Sequence, residues 1–320
     1  MGSIDAPAGR NGHLIPLDAG APRATKLVFH SGSHQETYEH PTTISSFSPL
    51  DALPEADRSL FKIPPEVTAP LFAVTTESTI FHPQGGGQPS DVGELVWSAP
   101  DSRVFKVLTA RTSATNPSVV LHYGHFADGN PPTTNLTGTA VTQLVDTDKR
   151  RLFSRLHTAG HVLGAATRTL LESRVDNFDE LKASHFPDSA ACEFQGSIDG
   201  KYKPEIQAAV DESVAKDAEV KIGWWTKAEF RRRKLERLLP SDEDWRAIAI
   251  SADEEGGDVV GGSQGVVDDE RTRIRVVDIV GAEVYPCGGT HVSSTKQCGK
   301  VTVKKISRQK GNSRVSYLVD

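Results

Sequence analysis

Between residues 25 and about 145, short stretches of alternating apolar and polar positions recur, among them 71–75, 104–108, 118–122 and 136–141, separated by Gly, Pro, Asn and Asp. A period of two puts every second side chain on one face, and punctuation this frequent predicts an all-β barrel or sandwich. Helical periodicity is nearly absent until Asp146. From there Leu152, Leu156, Ala159, Leu163, Ala166 and Leu170 recur three and four apart, which predicts an amphipathic helix with one buried face. Residues 182–194 alternate again and read as one strand. Pro204 opens a second helix with Ile206, Val210 and Val214 on one side, and Thr226 with Glu229 forms a capping box for a third that runs toward Pro240. Residues 254–269, rich in Gly and Asp, read as a mobile loop, and three strands over 273–280, 300–306 and 314–319 complete an α+β pattern. No internal repeat is visible.

The chain has 320 residues, more than the roughly 100 to 150 of a typical domain. Two domains are expected: a small β-barrel over residues 24–145 and an α+β domain over 146–320, behind a disordered leader at 1–23. No apolar run reaches the ~20 residues of a membrane helix, and the start of the chain lacks a signal peptide's charge and apolar stretch. Three cysteines do not make a disulfide framework and suit a reducing, cytoplasmic setting. The net charge of −6 argues against nonspecific coating of nucleic acid. Basic residues nevertheless cluster at Lys149–Arg150–Arg151 with Arg155, at 231–237 including Arg232 and Arg233, and at 300–314. One such cluster reads as a solvated face; three on an acidic chain suggest an acidic ligand. No phosphate-binding GxxxxGK[ST] segment occurs, so no nucleotide cofactor is expected.

Candidate chemistry sits at two places. His157 and His161 are four apart on the first helix, so both imidazoles leave one face about 6 Å apart. Alone, such a pair on the apolar side of a helix is more often packed and hydrogen-bonded than ligating. Cys287-Gly-Gly-Thr-His291 brings a thiol and an imidazole together across two glycines that permit a tight backbone, although alone it also fits a surface turn. Three nitrogens and one sulfur together match zinc in number and softness. Four protein ligands would close a structural site; catalysis would need His291 to stand back or the sphere to expand.

The segments HTAGH, LKASHFPDSAACEF and IRVVDIVGAEVYPCGGTHV resemble the editing domain of alanyl-tRNA synthetase, and STIFHPQGGGQPSDVGEL resembles the Gly-rich segment of the barrel that precedes it in the longer freestanding AlaX-type editing proteins. The pairing of HxxxH with CxxxH is shared with the threonyl-tRNA synthetase editing domain. The resemblance covers roughly residues 24–320. It implies an α+β editing fold and a zinc ion on His157, His161, Cys287 and His291. It also implies hydrolysis, in trans, of the ester joining serine, or glycine, to the terminal adenosine of alanine-specific tRNA. It places Gln88 against the pocket, where Gly86 and Gly87 let backbone approach a ligand, and Lys182 and His185 beside the metal motif. Arg232 and Arg233 are candidates for holding tRNA phosphates. The zinc either binds the misplaced amino acid or activates the attacking water, and the residues do not choose between them.

Three departures stand out. Gly160 replaces the Thr common within HxxxH; Ala183 and Ser184 replace Gly and Tyr before His185; and no Thr lies between Thr169 and Thr226, where some small members sense the serine hydroxyl. The rival readings are therefore a zinc deacylase of another aminoacyl-tRNA and a non-catalytic tRNA-binding module with structural zinc.

Overall fold

The computed structural model describes residues 24–98, 102–251 and 270–320. The expected leader at 1–23 and the expected loop at 254–269 lie outside the described residues.

Six antiparallel strands close a barrel: β1 (Glu39–Pro49), β2 (Phe72–Thr76), β3 (Gly93–Trp97), β4 (Arg103–Thr112), β5 (Val120–Phe126) and β6 (Ala140–Val145), in the order β1-β2-β5-β4-β3-β6 and back to β1. Alternation supplies the interior. Val74, Leu95, Phe105, Val107, Phe126 and Val141 point inward from successive strands and pack into one cluster. The strands begin one to four residues later than the bare patterns at 71, 118 and 136, and β1 and β3 carry patterns too mixed to be read beforehand.

After the barrel, Asp146 caps helix α1 (Thr147–Leu171) by accepting a hydrogen bond from the Lys149 amide. The strand expected over 182–194 is instead a hairpin of β7 (Asp179–Ser184) and β8 (Ala191–Gln195), because Pro187 cannot donate to a ladder and the chain turns between Phe186 and Ser189. Helix α2 (Lys203–Ala215) starts at Pro204 as expected and buries Ile206 and Val210. Strand β9 (Val220–Thr226) leads into α3 (Lys227–Arg232), where Thr226 accepts from the Glu229 amide. The cap is as read, but α3 stops at Arg232, well short of Pro240, and the chain leaves it through Lys234 at φ +60°. Then follow α4 (Asp242–Ile248), β10 (Thr272–Ile279), β11 (Glu283–Pro286), β12 (Val301–Gln309) and β13 (Asn312–Val319).

These strands make two sheets. One runs β12-β13-β8-β7; the other has β9 and β11 on opposite edges of β10. Leu156, Ala159, Leu163 and Ala166 of α1 pack with Ile206 and Val210 of α2, Phe194, Val315 and Tyr317 of the first sheet, and Val277 and Ile279 of the second. Helix α1 is thus held from several sides, which fixes the positions of its polar residues. The barrel is joined to this unit by a buried ion pair: the Arg150 guanidinium, 1% exposed, donates to both oxygens of Asp91, 0% exposed, and to the Ile80 carbonyl.

Candidate metal centre

His157 and His161 stand one turn apart on α1 with ring centroids 4.8 Å apart. The loop after β11 lays Cys287 and His291 over them. Cys287 Sγ is 3.3 Å from His157 Nε2 and 3.7 Å from His291 Nε2. One donor atom from each of the four residues lies within 4.8 Å of all the others. A tetrahedral zinc with nitrogens at ~2.0 Å and sulfur at ~2.3 Å separates its ligands by roughly 3.5 Å. The two short contacts bracket that spacing. His161 Nε2 is buried without a hydrogen-bond partner, a costly condition that a cation taking up its lone pair relieves. Burial, reinforced by neighbouring imidazoles, holds His157, His161 and His291 well below the usual histidine range, so the rings are neutral, the form that ligates. Burial pushes the Cys287 thiol up, opposed by Arg275 and by the Gly289 N–H that donates to Sγ at 3.4 Å. The four residues fit the ion that their chemistry suggests.

Gln88 reaches this cluster from the barrel and is fully buried. Its Oε1 accepts from the Thr290 amide at 3.0 Å, which fixes which end of the side chain is oxygen, and its Nε2 donates to Thr290 Oγ1 at 2.8 Å. His157 Nδ1, 2.7 Å from the same Oε1, must therefore carry the proton and leave Nε2 free beside Cys287. Gly289 makes this possible: a Cβ there would sit 2.3 Å from His157 Nδ1 and 2.6 Å from Gln88 Oε1. The second glycine of the CGG run is thus a matter of space.

His185 stacks on His157 with centroids 4.1 Å apart and is 1% exposed. Tyr317 donates its hydroxyl hydrogen to the Leu156 carbonyl, so its oxygen accepts from His185 Nδ1 at 2.7 Å. That leaves His185 Nε2 as an unprotonated acceptor; burial lowers the ring to about 4. The departure at Gly160 has a physical reason. A Cβ there would lie 2.4 Å from His185 Cε1 and 2.8 Å from the Tyr317 hydroxyl, so this pair fills the space a threonine would need. Gly87, at φ +78°, lies so close to β7 that a Cβ would meet the Ala183 carbonyl at 2.3 Å, and its own carbonyl accepts from the His185 amide. Gly86, at φ +55°, is exposed beside it.

The remaining sequence candidates are not gathered here. Lys182 is exposed on β7 and paired with Glu193, while Arg232 and Arg233, on and just after α3, both pair with Glu229. Reading the sequence missed four contributors. Thr290, within CGGTH, bridges Gln88 and Ser154. Gln35 accepts from the His291 amide at 3.1 Å, Tyr285 stacks on His161 at 4.2 Å, and Arg275 donates to the Cys287 carbonyl. Only Thr290 and Tyr285 carried a signal, their place beside the CxxxH motif.

Residues 274–316 match the family described as the threonyl and alanyl tRNA synthetase second additional domain. An alanyl-tRNA editing protein, AlaX-M, of Methanosarcina barkeri is 27% identical over 251 residues, covering 77% of this chain and 89% of that one. AlaX-L of Pyrococcus horikoshii is 26% identical over 239 residues, covering 75% of this chain and 49% of that protein. The alanine–tRNA ligase of Methanobrevibacter smithii is 28% identical over 242 residues, and the chain spans only 23% of that enzyme's length. The likeness to AlaX-type editing proteins read from the motifs thus extends over three quarters of the chain. No helix among the described residues is long and apolar enough to cross a membrane.

Proposed function

We propose that this protein is a trans-acting, zinc-dependent hydrolase that removes serine, and glycine, from misacylated alanine-specific tRNA. The observation that carries this reading is the convergence of His157, His161, Cys287 and His291 within 4.8 Å, with Gln88 fixing the tautomer of His157. Its likeness to proteins named as alanyl-tRNA editing proteins supplies the substrate class.

Zinc on these four residues would supply Lewis acidity, used either to hold the misplaced amino acid's own polar groups or to activate the attacking water. The protein's residues do the rest. Gln88 acts through His157, holding the ring so that Nε2 faces the cluster. His185 offers Nε2 as acceptor to a hydrogen of the attacking water, and its Nδ1 hydrogen is kept in place by Tyr317. Gly86 and Gly87 bring backbone to the same edge. Lys182, Arg232 and Arg233 are assigned to tRNA phosphates, which must compete with Glu193 and Glu229 for them. A cytoplasmic setting is assigned with this reading, from the cysteine usage that suits a reducing compartment.

The test is deacylation of alanine-specific tRNA charged separately with Ser, Gly and Ala, with zinc measured on the same preparation. Release of Ser or Gly with Ala spared is expected, and Cys287→Ala should abolish it together with zinc binding. Stoichiometric zinc without release of any amino acid would replace this reading by a binding module.

A further inference from the structure

The three basic clusters of the sequence meet different fates in the fold. In the first, Arg150 is buried against Asp91, Arg155 donates to the Cys298 and Asp320 carbonyls, and Arg151 lies over the Tyr38 ring. In the second, Arg232 and Arg233 share Glu229 at 2.7 and 2.5 Å, and Arg237 pairs with Glu283. The third keeps its charge free. Lys304, Lys305 and Lys310 are exposed, and none has an acidic partner among the described residues. Arg308 and Arg314 reach carboxylates, those of Asp199 and Glu193, only at 3.9 and 3.8 Å.

This third cluster lies on the sheet β12-β13-β8-β7. Val315 and Tyr317 of β13, with Cys192 and Phe194 of β8, turn into the core beneath α1 and α2. Alternation sends their neighbours to the opposite face. There Ser307 opposes Arg314, which opposes Glu193, while Gln309 opposes Asn312, which opposes Gln195, and Lys305 stands across from Ser316. Lys182 of β7 joins the middle row, 3.6 Å from Glu193. These side chains include no apolar one, and Glu193 is the single acid among Lys182, Lys305 and Arg314. At one end the face runs out, at the β12–β13 turn, into an open polar hollow of about 560 Å³ lined by Lys310, Asn312 and Gln195. At the other end Ser184 leads directly into His185, which stacks on His157. The five steps of β7 between these ends cover ~17 Å.

We propose that this outer face is the surface along which the backbone of the RNA lies, with phosphates taken by Lys304, Lys305 and Lys310 and the esterified end directed past Ser184 to the cluster. The proposal rests on the hydrolase reading for which RNA is bound. Three observations favour it. A lysine without an ion pair gives up nothing when it meets a phosphate, whereas Arg232 and Arg233 must first leave Glu229. The hydroxyls and amides between the cations, on Ser307, Ser316, Gln309 and Asn312, suit sugar and phosphate oxygens, which fix position without reading bases. The face has no apolar centre of the kind around which protein interfaces are built, so an acidic protein is the poorer fit.

The test is binding of uncharged alanine-specific tRNA to zinc-loaded protein, followed by fluorescence anisotropy over a series of KCl concentrations. Each phosphate contact contributes about 0.7 to 0.9 to the slope of log affinity against log salt, so Lys304→Gln/Lys305→Gln/Lys310→Gln should lower the slope by about 2 to 3. The three lysines are exposed, and an unchanged melting temperature and zinc content establish that the variant is folded. Its KM for acyl-tRNA should rise with little change in kcat. Lys62→Gln, which removes an exposed charge ahead of β2, should leave the slope as it is. An unchanged slope in the triple variant, or an equal loss per charge in Lys62→Gln, would overturn the surface, and deacylation by the parent would still leave the hydrolase reading standing. A lowered slope in the triple variant with no deacylation by the parent would do the reverse. Polyglutamate should displace the tRNA only weakly; displacement as effective as by unlabelled tRNA would make the face a site for acidic chains in general and overturn its assignment to RNA.

Discussion

At the scale of single residues, the centre depends on small groups in fixed places. Gln88 makes three hydrogen bonds at once, to the Thr290 amide, the Thr290 hydroxyl and His157 Nδ1. Gln88→Ala leaves the His157 N–H unpartnered and frees the ring to rotate, and losses of this kind lower metal affinity by about 10- to 100-fold. Gln88→Glu keeps an acceptor for both N–H groups, and the Thr290 hydroxyl can turn to donate. Competition with a chelator should therefore show the drop for alanine and only a few-fold change for glutamate. Zinc held equally tightly by Gln88→Ala would return Gln88 to the role of a simple barrel-turn residue.

At the scale of elements, helix α1 is where barrel and cluster are joined. Arg150 in its first turn is locked to Asp91, three residues beyond Gln88, and both are excluded from water. Arg150→Met should strand the Asp91 carboxylate in the interior and cost about 3–5 kcal/mol in chemical denaturation, whereas adding Asp91→Leu should recover most of it. A single variant as stable as the parent would show that the pair contributes nothing to docking. The element scale also shows what the sequence could and could not reveal. Helix α1 and its HxxxH face were legible because a 3.6-residue period is a local property, and CGGTH because its thiol and imidazole complete, with that face, the ligand number and softness of one metal site. Arg275 was not legible: with Arg271 and Arg273 it falls on the polar beat of an alternating strand, the mark of a solvated face. Its burial comes from β9, β11 and the segment around His30, which are distant in sequence. His30 and Gln35 lie in a polar stretch with no periodicity, and they join the centre only through tertiary packing.

At the scale of the whole molecule, buried neutral histidines tie stability to pH. His122 of β5 lies inside the barrel at 0% exposure, with its Nδ1 hydrogen on the Val74 carbonyl and its Nε2 accepting from Thr79. Burial lowers it to about 4, and the Val74 carbonyl only partly opposes this. His82, also buried, is lowered to about 4, again chiefly by burial. In the unfolded chain both return toward ~6.5, so between these values unfolding takes up protons. The sign follows: a depressed histidine contributes its stability in full above about pH 6.5 and loses it as the pH falls toward 4. Each contributes up to about 3 kcal/mol at neutral pH, and the slope is about 1.4 kcal/mol per pH unit per histidine. Acid also releases metal from the cluster, which adds to the slope of parent and variants alike. The informative quantity is therefore a difference: denaturation between pH 4 and 7 should give His122→Gln a slope about 1.4 kcal/mol per unit shallower than the parent. The glutamine cannot titrate but keeps a donor for Val74 and an acceptor for Thr79, so lost hydrogen bonds do not enter the comparison. Equal slopes would mean that the barrel admits water and lets His122 protonate while folded.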